Sequence, residues 1–409
     1  MTYRNGPSRP QRNFGKSQGR NSFRSNSSPK RFNNRSRNAN PGVYIDVARF
    51  VNKAVITEEV ERFIPEHTFA DFKLSPLVKK NIDNKGYISP TPIQDRSIPH
   101  ILRGEDIVGI ANTGTGKTAA FLIPLINKVV LNPQEKILVV VPTRELANQI
   151  NEELAGFAKD SRLFSVLCIG GANMGVQIRG LRHTHHFVIG TPGRLKDLIE
   201  ERILDLSQFK TVVLDEADRM LDMGFINDMR FMMSKMSKDR HTLFFSATLS
   251  PEIEKLIHEF LREPVRISVK TQDTSKNVHQ DVVKIPAGKN KIDVLEALLR
   301  DPDFSKVLVF GRTKHGIEKL AKELNVRGFK AESIHGNKSQ PQRQRSLDLF
   351  KRDHAQVLAA TDVAARGLDI SGVTHVINFD LPATYDDYVH RIGRTGRGDM
   401  KGKALTFIE

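Results

Sequence analysis

From residue 69 onward, short apolar runs bounded by turn residues alternate with stretches of helical period. Ile107–Ala111, Ile137–Val141, Phe164–Ile169, His186–Ile189, Thr211–Leu214 and Thr242–Phe245 are largely apolar and of strand length. Such runs fit buried strands of a parallel sheet. Between them lie helical stretches such as Arg144–Phe157 and Pro251–Leu261. Repeated strand–helix alternation predicts a doubly wound α/β sheet.

The pattern pauses at residues 270–277, K-T-Q-D-T-S-K-N, which are polar and without period and read as a linker. It then restarts: helix Lys289–Arg300, strand Lys306–Phe310, helix His315–Val326, strand Ala331–Ile334, helix Gln340–Phe350, strand Gln356–Ala360, strand His375–Phe379. Two α/β domains follow, over 67–269 and 278–409. The flanking segment 42–66 looks partly helical, with Val47, Phe50, Val51 and Ala54 at helical spacing, and no function is assigned to it.

Charge changes the picture at one end. The 409 residues carry a net +16, and residues 1–41 supply +10 of it through eight Arg and two Lys with no acid. This tail is rich in Asn, Ser, Gly and Pro, so it buries too little to offset ordering entropy and is expected to be disordered. Phe14, Phe23 and Phe32 recur among its arginines. Arginines neutralise phosphates and aromatics stack on unpaired bases, so nucleic acid is the partner the tail fits. A mitochondrial presequence is the alternative reading, opposed by the Gly, Pro and Asn content. The single cysteine, Cys168, fits a reducing compartment, and no run of about 18 apolar residues suggests a membrane span.

Two motifs carry chemistry. The strand at Ile107 runs into A-N-T-G-T-G-K-T, residues Ala111, Asn112, Thr113, Gly114, Thr115, Gly116, Lys117 and Thr118. A strand, Gly-rich turn and helix aim backbone amides and the helix N-terminus at one point, which suits phosphate. Lys117 is placed to reach the β- and γ-phosphates and Thr118 to ligate Mg2+. The strict pattern asks for Gly where Ala111 stands. The second motif, D-E-A-D, ends the strand Thr211–Leu214. There Asp215 can hold the metal and Glu216 can orient and deprotonate the attacking water. A third cluster, H-R-I-G-R-T-G-R from His390 to Arg397, spaces arginines by three, so they could reach into a cleft and stabilise charge on a γ-phosphate. The cluster His183, His185 and His186 has no Cys or acidic partner nearby and is read as a loop before a strand, not a metal site.

Over residues 69–408 the chain resembles a DEAD-box RNA helicase of superfamily 2, of bacterial type, in which position 111 is normally Ala. The resemblance implies two tandem RecA-like domains and ATP as the nucleotide. G-Y-I-S-P-T-P-I-Q at 86–94 resembles the adenine-reading motif, so Gln94 would bond the adenine edge and Tyr87 stack on it, with Phe69 the upstream aromatic. Pro142, Thr143 and Arg144 of P-T-R-E-L-A, Gly171, and Thr191, Gly193 and Arg194 of T-P-G-R match RNA-backbone motifs. In the second domain Arg312, Gly336, Thr361 and Arg366 would touch RNA and Asp369 the ribose. Ser246 and Thr248 match the motif coupling hydrolysis to unwinding. Arg394 and Arg397 would be the arginine fingers, with His390 bridging to D-E-A-D. Departures are Asp399, where Gly is usual, and a C-terminus just after the expected last strand.

The expectation is therefore an ATP- and Mg2+-dependent RNA helicase, monomeric and cytoplasmic, that grips RNA backbone with little base specificity. An ATP-gated clamp or annealer, a DNA helicase and a plain ATPase remain as alternatives.

Overall fold

The computed structural model describes residues 50–51, 63–112, 114–269, 278–365, 370–396 and 402–408. The tail 1–41, most of 42–66 and the linker 270–277 lie outside them. Residues Val43 to Glu409 form one compact unit with two sheets.

The first lobe has seven strands: β1 Ile107–Ile110, β2 Ile137–Val140, β3 Ser165–Cys168, β4 Phe187–Gly190, β5 Thr211–Leu214, β6 His241–Ser246 and β7 Val265–Ser268. Their order is β3-β4-β2-β5-β6-β1-β7, every pairing parallel. The period of two explains why the central strands are apolar throughout. Ile137 and Val139 of β2 enter one core, Leu138 and Val140 the other, and helices cover both.

The second lobe repeats the design with β8 Val278–Lys284, β9 Val307–Phe310, β10 Ala331–Ile334, β11 Val357–Ala360, β12 His375–Asn378 and β13 Gly402–Ile408. Its order is β10-β11-β9-β12-β13-β8, again parallel. Leu308 and Phe310 face one core and Val307 and Val309 the other. Among the described residues no helix is long and apolar enough to cross a membrane.

Strands read from the sequence recur within about one residue at each end. β13 was expected only as a last strand without bounds, and two strands, β7 and β8, went unread. Both are edge strands with exposed positions, so neither shows a continuous apolar run. Helices Pro76–Asn84 and Pro92–Arg103 precede β1, each with proline in its first turn. In the flanking segment, Phe50 is buried in the second lobe's core and Val51 is exposed.

Candidate active site

All strands of a parallel sheet end on the same edge, and the chemistry sits there. β1 runs into the Gly-rich loop and then the helix Lys117–Leu131. Gly114 and Gly116 have φ of +86° and +92°, a left-handed backbone that glycine adopts without strain. A Cβ on Gly116 would also sit 2.5 Å from Gln94 Nε2. Thr115 Oγ1 donates to the Asn112 carbonyl at 2.8 Å, closing the turn, and Thr118 is half-buried. The Lys117 ammonium is buried with no hydrogen-bond partner among the described residues. A buried unpaired cation is costly, and an anion in the loop would satisfy it.

β5 delivers Asp215 and Glu216, 2 % and 4 % exposed. Glu216 holds a left-handed backbone, φ +53°, a strained conformation for a non-glycine residue. Arg219 Nη1 donates to Glu216 Oε2 at 2.8 Å, and the Glu216 amide donates to Asp215 Oδ1 at 2.9 Å. Burial pushes the Asp215 carboxyl up from its ordinary range, against the pull of the Lys117 charge and with Glu216 adding to the rise. Asp218, one turn on, accepts the amides of Ala247 and Thr248 at 3.2 and 3.1 Å and the Thr248 hydroxyl at 3.3 Å. Ser246 Oγ donates to the Thr248 carbonyl at 2.8 Å. The acidic run and the β6 exit are thus one bonded piece.

Gln94 is 1 % exposed, and both ends of its amide are engaged. Oε1 accepts the Thr91 amide at 3.0 Å and Nε2 donates to the Gly116 carbonyl at 3.1 Å, so Gln94 clips its helix to the phosphate loop. The Tyr87 ring lies edge-on to Phe69 and to Phe157, with centroids 6.0 and 5.3 Å apart.

From the second lobe, the helix Tyr385–Ile392 brings His390, and the turn after it Arg394, to a cavity of about 270 Å³ shared with Asn112, Asp218, Arg219 and Thr248 of the first lobe. The three-residue spacing of arginines does not place all of them in this cleft. Arg391 is buried within its own lobe, with Nη2 on Asp362 Oδ2 at 2.8 Å and Nη1 on the Asp380 carbonyl at 2.7 Å. It anchors the helix.

The remaining motif residues lie at other strand ends on the same edges. Pro142, Thr143 and Arg144 follow β2, Gly171 follows β3, and Thr191, Gly193 and Arg194 follow β4. Thr143 caps the helix Arg144–Phe157 by accepting the Leu146 amide, and the Arg144 guanidinium lies against Gly171, whose φ is +77°. Arg194 Nη1 donates to the Ala172 carbonyl at 3.3 Å. Arg312 follows β9 and Gly336 follows β10, both exposed; Thr361 follows β11, half-buried. The first sheet therefore sorts its loops, with β3-β4-β2 carrying one set and β5-β6-β1 the Gly-rich loop, the acidic run and the Ser246–Thr248 turn. Between the lobes, Arg343 Nη2 donates to Glu145 Oε2 at 2.7 Å in a buried pair.

Comparison with known proteins decides what this arrangement is. Residues 91–256 match the DEAD/DEAH box helicase family and residues 290–399 the helicase conserved C-terminal domain. The DEAD-box ATP-dependent RNA helicase CshA of Bacillus subtilis is 46 % identical over 345 residues, 83 % of this chain and 69 % of that protein. CshA of Geobacillus kaustophilus is 47 % identical over 343 residues, 83 % of this chain and 73 % of the relative. The chain belongs to the DEAD-box ATP-dependent RNA helicases. The helicase also shares its fold with S. cerevisiae Dbp5 bound to RNA and ADP BeF3, at a TM-score of 0.74 and 29 % identity, covering 84 % of this chain and 89 % of Dbp5. Mss116p bound to ssRNA and AMP-PNP gives 0.73 and 29 %, covering 82 % and 72 %.

Four expected site residues of the helicase, Thr113, Arg366, Asp369 and Arg397, lie outside the described residues. Sequence reasoning missed three others. Asp218 and Arg219, inside or beside the acidic run, tie it to the β6 loop and to Glu216. Their spacing was visible, but which way each side chain turned was not. Glu145, the fourth residue of P-T-R-E-L-A, makes a buried ionic contact with Arg343 of the second lobe.

Proposed function

We propose that the two lobes of this ATP-dependent RNA helicase close on ATP and one RNA strand, and that hydrolysis in the cleft reopens them. The observation that carries this reading is the cavity lined by Asn112, Asp218 and Thr248 from one lobe and His390 and Arg394 from the other. A site made of two halves works only when the halves meet.

In this reading the loop from Ala111 to Gly116 receives the phosphates, whose oxygens give the buried Lys117 ammonium the partner it lacks. Glu216, steadied by Arg219, orients the attacking water and accepts its proton. Arg394, with Arg397, stabilises the charge that develops on the transferred phosphoryl group, worth about a thousandfold or more in rate. His390 bridges to the acidic run, and Ser246 and Thr248 relay its state through Asp218. Gln94, Tyr87 and Phe69 form the adenine side; the Gln94 bond to the Gly116 carbonyl links base recognition to the phosphate loop. Asp369 completes the ribose side.

The hydroxyl of Thr118 and the carboxylate of Asp215 are a donor set of the hard-oxygen kind that suits Mg2+. Bound there, the ion would neutralise charge on the β- and γ-phosphate oxygens.

RNA lies over the β2, β3 and β4 exits of the first lobe and the β9, β10 and β11 exits of the second. Pro142, Thr143, Arg144, Gly171, Thr191, Gly193, Arg194, Arg312, Gly336, Thr361 and Arg366 offer amides, hydroxyls and guanidinium groups, which suit phosphate and sugar better than base edges. The lobes are taken as 67–269 and 278–409, joined by 270–277 and preceded by the tail 1–41 and flank 42–66. We place the protein as a monomer in the reducing cytoplasm, where the lone thiol of Cys168 stays free.

The test is phosphate release from ATP without nucleic acid, with RNA and with DNA of the same sequence. RNA alone should stimulate strongly, and equal stimulation by DNA would remove the RNA-specific closure. Glu216→Gln should keep ATP and RNA binding and lose turnover by about a hundredfold or more. Full activity in that variant would sink the assignment of the base.

A further inference from the structure

Phe50 precedes the first lobe in the chain, yet its ring is 1 % exposed in the second lobe's core. It meets Tyr388 edge-on, with ring centroids 4.8 Å apart and planes at 62°. This is the edge-to-face arrangement that aromatic quadrupoles favour. Tyr388 is itself fully buried and donates its hydroxyl to Gln280 Oε1 at 2.9 Å, on β8 just after the linker. Val51 is joined to Phe63 by residues 52–62, so the chain runs from the second lobe to the first, and 270–277 runs back. The flank contributes no nucleotide or RNA motif, so the burial of a large ring there is not explained by the site.

Tyr388 sits on the helix Tyr385–Ile392, and two of the contacts that hold this helix bear on its orientation. Arg391 ties it to Asp362 and Asp380 from within the lobe. Phe50 braces Tyr388, three residues earlier, from outside the lobe's own sequence. Between these points lies His390, and just beyond them Arg394, both lining the interlobe cavity. Phe50 on one hand and the Arg391 anchor on the other therefore both bear on the orientation of the helix.

We propose that Phe50 is a positioning residue for ATP hydrolysis, acting through Tyr388 on the placement of Arg394. The inference rests on the reading of Arg394 as the arginine that reaches the γ-phosphate. Small displacements of a charge-stabilising group cost rate steeply, up to about a hundredfold per ångström. The Gly-rich loop, Lys117 and Gln94, on which ATP affinity is read to rest, lie in the first lobe and away from Phe50.

The experiment is a double-mutant cycle in the full chain on RNA-stimulated ATP hydrolysis, with Phe50→Ala, Arg394→Ala and the pair, and Phe50→Leu as the conservative variant. Phe50→Ala should lower kcat about tenfold, with KM for ATP changed less than about twofold, and Phe50→Leu should restore most of the loss. In the Arg394→Ala background Phe50→Ala should cost nothing further, because the group it positions is gone. Additive losses, or an unchanged kcat in folded Phe50→Ala, would overturn the proposal. If Phe50→Ala does not fold, the same cycle is read with Phe50→Leu, whose smaller loss must likewise vanish beside Arg394→Ala. An unchanged kcat in Arg394→Ala alone would instead overturn the arginine-finger reading, a separate failure.

Discussion

Asp215 sits where burial opposes its charge, and its carboxyl is held above the ordinary range despite Lys117 nearby. An acid raised in this way stays protonated at a pH where an ordinary aspartate has ionised, and the protonated form is a poor metal ligand. The profile of kcat/KM reports the free enzyme, so its acid limb should lie above the ordinary aspartate value of about 4. The limb of kcat reports the occupied site, where metal favours the carboxylate, and should lie lower. Profiles at limiting and saturating ATP check this, and coincident limbs would remove Asp215 from the metal role. The reactive residue types were legible in the sequence because their order and spacing are unusual. Side-chain direction was not. Arg391 and Arg394 differ by one helical turn, yet one is locked to Asp362 and the other faces the cleft. What each guanidinium faces, its own lobe for Arg391 and the interlobe cavity for Arg394, is what tells the two apart.

At the scale of elements, continuous apolar runs gave away the central strands, because β2, β4 and β5 are buried on both faces. The edge strands β7 and β8 escaped notice because solvent on one side permits residues such as Arg266 and Asp281. Phe50 was seen as part of a helical pattern, but no local pattern tells a residue which lobe it will join. Loop conformation was partly legible through glycine. At Gly171 an added Cβ would meet the Arg144 guanidinium, and the left-handed backbone would cost about 1 kcal/mol besides. Gly171→Ala should therefore displace Arg144 and weaken RNA binding about fivefold or more, while ATP affinity without RNA stays unchanged. Equal weakening of both ligands would mean that the damage spreads through the lobe, not along the β3 exit.

For the whole molecule, the buried Glu145–Arg343 pair is an ionic hold between lobes. Burial raises the Glu145 carboxyl and lowers the Arg343 guanidinium, so each charge is tolerated because the other is there. Glu145→Gln leaves a buried cation with a neutral partner, and should cost the docked arrangement about 3 kcal/mol. The expected result is a lower RNA-stimulated kcat and a wider separation between fluorophores on the two lobes, with ATP binding to the first lobe intact. An unchanged separation would show that the pair does not hold the lobes together. The sorting of strand exits has a consequence of its own. Adjacent strands lie about 4.8 Å apart, so the three neighbouring exits in each lobe subtend roughly 10 Å. If RNA lies over these exits as proposed, its grip is a fixed ruler, set by backbone spacing and indifferent to how long the strand is. A jaw of that width would take hold of a few nucleotides at a time, whatever the length of the strand they belong to.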